Sequence, residues 1–201
     1  MVLAADKNIE LNIQGILARK ESLSIRAVRH KIFVHPESDP GCHLRCQDFL
    51  ASFTRLYKYA LVIHDHEGCG REAIDRVGLE ADIENRLASR GWKDRCAAVV
   101  IEPELEAWVW SDSPPIATVL AWPDEVGSLR QWLELQGFSN DALGKPVKPK
   151  EALERVLRER RTPRSSSIYF RLAATVSLRR CLDPAFAKLR ATFQDWFGLP
   201  E

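Results

Sequence analysis

Acidic side chains follow three short apolar runs of the sequence, and side chains of this type bind divalent cations. The runs are 2–5 (VLAA), 59–63 (YALVI) and 97–101 (AAVVI). The acids that follow them are Asp6 and Glu10, then Asp65 and Glu67, then Glu102, Glu104 and Glu106. Carboxylates held close together repel one another unless protons or a cation neutralise them. Because oxygen-only ligands suit Mg²⁺ or Mn²⁺, the pattern predicts a site for one of these ions.

The elements around these acids alternate between strand and helix patterns. Strands are predicted at 2–5, 27–34, 59–63 and 97–101, and helices at 7–19, 46–57, 71–90 and from 105. This alternation predicts an α/β fold with a mainly parallel sheet flanked by helices. Ligands of such sheets bind outside the carboxyl ends of the strands. We therefore expect Asp6, Asp65 and Glu67 to have carboxyl oxygens within a few ångströms of a common point.

Beyond residue 112 the strand signal fades and the chain becomes helical. Helices are predicted at 124–136, 149–161, 166–180 and 184–197. The sequence thus predicts an α/β core over 1–112 and a helical C-terminal extension over 113–201. We expect the extension to pack on the core within one structural domain.

The acids after the third run have a simpler explanation as well. Pro103 is expected in the first turn of the next helix, which would place Glu104 and Glu106 near a helix N-terminus. There each would stabilise the helix dipole by roughly 0.3–1 kcal/mol. That effect does not explain why acids follow three separate strands.

Cysteine and histidine residues offer alternative sites. Zn²⁺ could be held by Cys42, His43 and Cys46 or by His64, His66 and Cys69, although their spacing matches no zinc-ribbon or finger pattern closely. Cys69, beside His66, is also a candidate nucleophile, but the neighbouring acids disfavour its thiolate. Free cysteines are the simpler interpretation.

Positive charge is concentrated late in the chain. Residues 145–190 contain 13 Lys and Arg but 4 Asp and Glu, whereas residues 1–124 contain 15 basic and 19 acidic residues. A basic stretch beside an acidic region is expected where DNA or RNA phosphates are bound. The candidate contacts are Lys148, Lys150, Arg155, Arg158, Arg161 and Arg164. The alternative is an ordinary solvated helix face.

The compartment follows from what the sequence lacks. The opening apolar run is too short for the core of a secretory signal, and no apolar span of ~20 residues crosses a membrane. The five cysteines are an odd number, which does not suit a disulfide framework. We therefore expect a cytoplasmic protein with reduced thiols and no membrane partner.

These motifs resemble a known family. An acid after strand one, another four residues later, and Asp-x-Asp/Glu after a central strand is similar to the Toprim pattern of primases, topoisomerases and nucleases of the overcoming-lysogenization-defect class. Residues 101–112 (IEPELEAWVWSD) and the later segment Pro149–Glu151 resemble the bacterial family DUF4276, which is Toprim-like. Residues 5–10 and 34–41 resemble a subgroup found in methylation-associated phage-defence systems. The chain departs from the pattern at two positions: it has Asp6 where Toprim domains usually carry Glu, and Glu67 where they usually carry Asp.

The resemblance implies metal-dependent phosphodiester hydrolysis or phosphoryl transfer in bacterial anti-phage defence, together with other defence-system proteins. Asp6, Asp65 and Glu67 would hold the ion, and Glu10 or Glu104 would complete its surroundings. Lys7 or Arg71 would stabilise developing charge. Two alternatives stay open. One is a non-catalytic scaffold subunit with a degenerate site, whose interaction surface is formed by tryptophans between residues 92 and 132. The other is a metal-dependent phosphatase of small molecules.

Overall fold

Four strands pair in parallel in the order β2-β1-β3-β4. They are β1 (Val2–Ala4), β2 (Ile32–Val34), β3 (Ala60–Asp65) and β4 (Cys96–Ile101). The computed structural model describes residues 1–110, 113–123 and 126–199. The predicted α/β class, with a parallel sheet flanked by helices, is confirmed. Side chains 60–64 of β3 and 97–101 of β4 are buried, so these strands read as continuous apolar runs in the sequence.

Helices cover both faces of the sheet. The first four are α1 (Lys7–Leu17), α2 (Lys20–Leu23), α3 (Ser38–Leu50) and α4 (Arg76–Leu87). α3 packs on β3, α4 packs on β4, and the two helices contact each other. Connections between parallel strands are right-handed, and the step from β1 to β2 runs opposite to the later steps. α1 therefore lies on the face opposite α3 and α4.

The C-terminal helices complete the face that α1 begins. They are α5 (Glu106–Val109), α6 (Pro115–Val119), α7 (Val126–Leu135), α8 (Pro149–Glu159), α9 (Ser166–Thr175) and α10 (Pro184–Phe197). α9 lies against α1, where a Cβ on Gly15 would be 2.7 Å from the carbonyl oxygen of Phe170. α10 packs on β4. One hydrophobic core consequently extends from Met1 to Phe193.

The largest local difference from the sequence prediction is at α3. The helix expected at 46–57 begins at Ser38, so Pro40 and Gly41, residue types typical of loops, lie in its first turn. Proline is tolerated there because the first N–H groups of a helix have no intrahelical partner. β2 is confined to Ile32–Val34 within the predicted 27–34. Pro103 precedes α5 and is not part of a helix.

Some predicted features lie outside the described residues. These are Asp112, at the end of the 101–112 motif, and residues 124 and 125, at the start of the helix expected at 124–136. Residues 200 and 201 of the predicted extension are outside as well. All five cysteines are free thiols. Within the described ranges, no helix combines the length and apolar character needed to cross a bilayer.

Candidate functional site

The carboxyl edge of the sheet has a crevice between β1 and β3. From β1 the chain continues to β2 on one side, and from β3 it continues to β4 on the other. Such a reversal of direction is where open α/β sheets bind ligands. Asp6 follows β1 after a single residue, and Asp65 is the last residue of β3. These two predicted residues therefore stand on either side of the crevice.

Backbone amides position three aspartates at this edge. Asp6 is the N-cap of α1, and its Oδ1 accepts the N–H of Ile9 at 2.8 Å. Oδ1 of Asp39, in the first turn of α3, accepts the N–H of Asp65 at 2.9 Å. Oδ1 of Asp65 in turn accepts the N–H of Leu105 at 2.9 Å. Among the described residues, no hydrogen bond engages Oδ2 of these three side chains, so each aspartate keeps one oxygen for a ligand.

The environment disfavours negative charge on these aspartates. Burial raises the pKa of Asp65 well above its usual range, and the nearby carboxylates of Asp39, Glu106 and Asp6 raise it further. Burial also raises the pKa of Asp39, with a further contribution from Asp6. Partly buried carboxylates that repel one another are stabilised by a cation or by protons. The cluster is therefore electrostatically prepared for a positive ligand.

Two further carboxylates of the same edge already have cationic partners. Glu104 accepts hydrogen bonds from the backbone N–H and the Nζ of Lys150, both at 3.2 Å. Oε1 of Glu106 lies 2.7 Å from Nη2 of Arg164 and also accepts the hydroxyl of Tyr169. Both glutamates are buried. The C-terminal helical part thus supplies positive charge to the edge where the aspartates lie.

The other residues predicted for the site lie further out. Glu67 is exposed in a turn after β3, so the expectation that it shares a direction with Asp65 along extended chain does not apply. Its backbone N–H donates to the carbonyl oxygen of Pro103 at 3.0 Å. Lys7 and Glu10 pair with each other at 2.8 Å on α1. Of the predicted residues, the structure therefore brings Asp6 and Asp65 to the crevice, and Glu104 lies near Asp65. The remaining predicted residues, Glu67, Lys7 and Glu10, are not part of the aspartate cluster.

The donor set fits a hard divalent cation, although it is not assembled around one. Oxygen atoms of Asp6, Asp39 and Asp65 are ligands of the kind that Mg²⁺ and Mn²⁺ take. Within the part of the chain that the structure describes, no three His, Cys, Asp or Glu side chains are already placed to hold a metal ion. An ion would have to draw the unbonded Oδ2 atoms inward while the Oδ1 atoms keep their backbone partners.

The zinc and thiol alternatives gain no geometric support. The rings of His43 and His64 are buried on the α3 side of the sheet with centroids 5.9 Å apart, but the described residues supply no third ligand. His64 Nδ1 lies 2.7 Å from the carbonyl oxygen of Asp65. Burial raises the pKa of the Cys69 thiol, which opposes formation of a nucleophilic thiolate.

The predicted nucleic-acid contacts do not form one continuous surface. Lys150 and Arg164 are bound to Glu104 and Glu106. Arg155 lies 5.1 Å above the Trp132 ring and 3.4 Å from Glu159, and Lys148 is paired with Glu151 at 2.8 Å. Arg158 and Arg161 are exposed and have no ion pair within the described residues. Four of the six candidate contacts therefore already have a carboxylate partner.

Sequence reasoning missed Asp39. The residue lies within the 34–41 segment, but the proline and glycine that follow it are typical of a loop, so no role at the sheet edge was assigned to it. The usable signal was an acid beside Pro at the start of a helix that leads into a central strand. Glu106 was recognised only as one of several acids after β4.

Comparison with known proteins adds no relative. No protein-family model matches the chain, and neither a curated protein nor a solved structure matches it. The geometry of the crevice is therefore the basis for a functional proposal.

Proposed function

We propose that this chain is a Mg²⁺- or Mn²⁺-dependent phosphodiester hydrolase of the Toprim-like type that acts on nucleic acid. One observation carries the proposal. At the switch point of the sheet, Asp6, Asp39 and Asp65 each keep one carboxyl oxygen free of hydrogen bonds within the described residues, and Lys150 and Arg164 lie at the same edge. Acidic ligands beside cationic side chains are the combination that phosphoryl chemistry requires.

The three aspartates would hold the ion, and their backbone hydrogen bonds fix their direction. A bound divalent ion supplies polarisation of a phosphate oxygen and a lowered pKa for a coordinated water. Lys150 is about half exposed, so its ammonium can neutralise a phosphate at the mouth of the crevice while Glu104 orients it. Arg164, held by Glu106 and Tyr169, is the second cation available to developing negative charge.

A cleavage assay tests this proposal. Purified protein is incubated with single- and double-stranded DNA and RNA, with Mg²⁺, with Mn²⁺ or with a chelator. We expect cleavage that requires the ion and is lost in Asp39→Asn and Asp65→Asn. Asp48→Asn is the matched control, because Asp48 lies at the other end of α3 and is exposed. Cleavage that persists in both site variants contradicts the proposal.

A scaffold with a degenerate site is the second candidate, and a specific observation favours it. Glu104 and Glu106 are already neutralised by Lys150 and Arg164, which removes two of the carboxylates that could have served a metal. Three of the five tryptophans do not support this candidate, because Trp92, Trp108 and Trp110 are buried in the core. The other two, Trp122 and Trp132, are partly buried and pack against each other. A chain that neither cleaves nucleic acid nor is stabilised by divalent ions fits the scaffold. Participation in anti-phage defence is part of either proposal and rests on the sequence resemblance alone.

A further inference from the structure

The amino-terminal edge of the sheet, opposite the aspartates, carries basic side chains on aromatic rings. Lys31 immediately precedes β2, Lys58 lies two residues before β3, and Arg95 immediately precedes β4. The distances from cation to ring centroid are 4.9 Å for Lys31 over Phe33, 5.1 Å for Lys58 over Tyr59, 4.5 Å for Arg95 over Trp92 and 5.4 Å for Arg26 over Phe197. Parallel strands start at one edge, which brings these pairs together.

The positive charge of this edge is not neutralised. Arg26, Arg29, Lys31, Arg55 and Lys58 are exposed, and within the described residues none of them forms an ion pair. Asp94 is an exposed acid next to Arg95. The contrast with the C-terminal helices is direct, because Lys148, Lys150, Arg155 and Arg164 all have carboxylate partners there. Unpaired cations on an exposed edge attract polyanions.

An aromatic cavity opens between these cations. It measures about 490 Å³ with its mouth included, and Arg29, His30 and Lys58 contribute to its lining. Its aromatic walls are Tyr57, Tyr59, Phe193, Trp196 and Phe197. The rings of Tyr59 and Trp196 are stacked with centroids 4.6 Å apart and an interplanar angle of 11°. Flat apolar walls beside cations suit a ligand that combines an aromatic ring with a phosphate.

We propose that the amino-terminal edge binds single-stranded nucleic acid, with phosphates on Arg29, Lys31 and Lys58 and an unpaired base against Tyr57 and Trp196. Aromatic stacking together with a basic groove is how proteins hold single strands without reading their sequence. A duplex offers no free base face to the cavity, whereas a single strand does. An acidic protein surface would engage the cations, but it does not join a flat ring and an anionic group in every repeating unit as a polynucleotide does.

This inference goes beyond the proposed hydrolase site and does not depend on it. β3 has six residues, so the two edges are separated by roughly 20 Å at about 3.3 Å per residue. Binding at the amino-terminal edge therefore needs neither the aspartates nor a divalent ion. A strand bound there would hold the rest of the polynucleotide within reach of the opposite edge. Failure of the hydrolase proposal leaves the binding prediction intact, and failure of binding leaves ion-dependent stabilisation of the aspartates intact.

Fluorescence anisotropy with a labelled oligonucleotide of about 15 nucleotides, in chelator and at about 50 mM salt, tests the proposal. We expect the double variant Lys31→Glu with Lys58→Glu to bind at least about tenfold more weakly than the parent chain. The dependence of log K on log salt should become shallower by about 0.7 for each phosphate that the variant no longer neutralises. Arg158→Glu with Arg161→Glu is the charge-matched control, and its affinity should change less. Circular dichroism and melting temperatures confirm that both double variants are folded.

The stacking part of the proposal has its own readout. Trp196→Phe keeps a ring against Tyr59 but removes an indole, so oligonucleotide-dependent quenching of tryptophan fluorescence should decrease while the fold is retained. Any one of three results overturns the proposal. The first is that the substitutions at Arg158 and Arg161 weaken binding more than those at Lys31 and Lys58. The second is that a duplex of equal length binds as tightly as the single strand, and the third is that poly-glutamate of equal charge displaces the oligonucleotide completely. The last result would instead identify a site for acidic proteins.

Discussion

The carboxylate of Asp39 accepts a hydrogen bond from the backbone N–H of Asp65 at 2.9 Å, and this bond ties the first turn of α3 to the end of β3. Asp65 repeats the arrangement with the N–H of Leu105 after β4. Successive strand ends are thus linked by carboxylate-to-amide hydrogen bonds. Because asparagine keeps an oxygen acceptor at the same position, an Asp→Asn change removes the charge and preserves the link. Asparagine variants therefore separate charge from structure in this site.

Asp65→Asn is expected to stabilise the chain in the absence of divalent ions. The folded-state pKa of Asp65 is raised by burial and by neighbouring carboxylates, so keeping this group ionised costs free energy at neutral pH. Removing the charge removes that cost. We expect a melting temperature at least about 2 °C higher in chelator, measured by differential scanning fluorimetry. Asp48→Asn, an exposed change on α3, should leave the melting temperature nearly unchanged.

Divalent ions should stabilise the parent chain and reverse the order of melting temperatures between it and Asp65→Asn. An ion that binds only the folded state stabilises it by mass action, so Mg²⁺ or Mn²⁺ should raise the melting temperature of the parent chain. The same ions should have little effect on Asp65→Asn, which lacks one ligand charge. Equal ion-dependent shifts in the parent chain and the variant would place the ion elsewhere. No shift in either would remove the metal from the proposed function.

Gly41→Ala should destabilise the protein and disturb the aspartate cluster. A Cβ at Gly41 would lie 2.1 Å from Nδ1 and 2.3 Å from Cε1 of the buried His35, so the start of α3 or the ring must move. We expect a loss of about 1–3 kcal/mol in the free energy of unfolding, because overpacking in an interior typically costs this much. Since Asp39 is in the same turn, ion-dependent stabilisation should weaken as well. Urea unfolding, with and without Mg²⁺, measures both effects.

Gly127→Ala is the matched control for Gly41→Ala. Gly127 lies in α7, and a Cβ there would meet no atom of the described residues within 4 Å, apart from its chain neighbours and the backbone of its own helix. Replacing a helical glycine by alanine reduces the freedom of the unfolded chain, so this variant should be stabilised by about 0.5–1 kcal/mol. Similar effects of the two substitutions would show that contact with His35 does not determine the position of α3.

The strands of the fold were accessible from the sequence because their signal is local. Continuous apolar runs followed by acids predicted β3 and β4. Because Asp6 follows β1 and Asp65 ends β3, the parallel arrangement predicted that both lie at one edge. The role of Asp39 was not accessible, because it depends on α3 beginning eight residues before its apolar pattern. Proline and glycine indicate a turn in most contexts, and only the close approach to His35 explains why glycine occupies this helical position.

The charged residues show a second reason why sequence and structure diverge. The spacing of Arg155, Arg158 and Arg161 suggested one basic face, but spacing does not reveal which carboxylates the fold brings to each cation. Arg164 reaches Glu106, 58 positions away in the sequence. The unpaired cations of the amino-terminal edge form two groups in the sequence, one within 26–31 and the other within 55–58. Nothing in the sequence indicated that these two groups lie at the same edge. Their proximity arises because the loops before parallel strands share one edge of the sheet.

His64 should make stability depend on acid pH. The pKa of His64 is lowered from 6.5 to about 4, mainly by burial. A hydrogen bond from its ring to the Asp65 carbonyl opposes this shift, and His43, His66 and Arg86 contribute to it. Between pH 6.5 and about 4 the unfolded chain binds a proton at His64 that the folded chain does not, so stability falls as pH decreases through this range. The difference corresponds to about 3 kcal/mol in total.

The test compares parent and variant chains, because Asp65 contributes in the opposite sense. Its raised pKa makes the folded state gain stability as pH falls towards 3.8, the usual value for an aspartate. Urea unfolding at several pH values between 4 and 7 should show a shallower acid loss in His64→Asn than in the parent chain. His30→Asn, a change at an exposed histidine, should retain the slope of the parent. Parallel pH profiles for all three proteins would show that His64 does not titrate as inferred.

The pair formed by Lys145 and Asp183 should be the salt bridge whose disruption costs most. Nζ of Lys145 lies 2.9 Å from Oδ2 of Asp183, and both side chains are about 6% exposed. Oδ1 of Asp183 also accepts the indole N–H of Trp108 at 3.0 Å and caps α10. Asp183→Ala leaves a buried ammonium without its partner, an indole N–H without an acceptor and a helix without its cap. We expect a loss of about 3–5 kcal/mol in the free energy of unfolding.

Glu151→Ala gives the comparison that isolates burial. Lys148 and Glu151 are 2.8 Å apart, nearly the same distance as the Lys145 pair, but their side chains are 66% and 59% exposed. Water solvates both groups after the pair is broken, so the loss should be only a small fraction of that caused by Asp183→Ala. Chemical denaturation of the two variants against the parent chain measures the difference. If both substitutions cost the same, the Lys145–Asp183 pair is solvated in solution and does not hold α10 against the core.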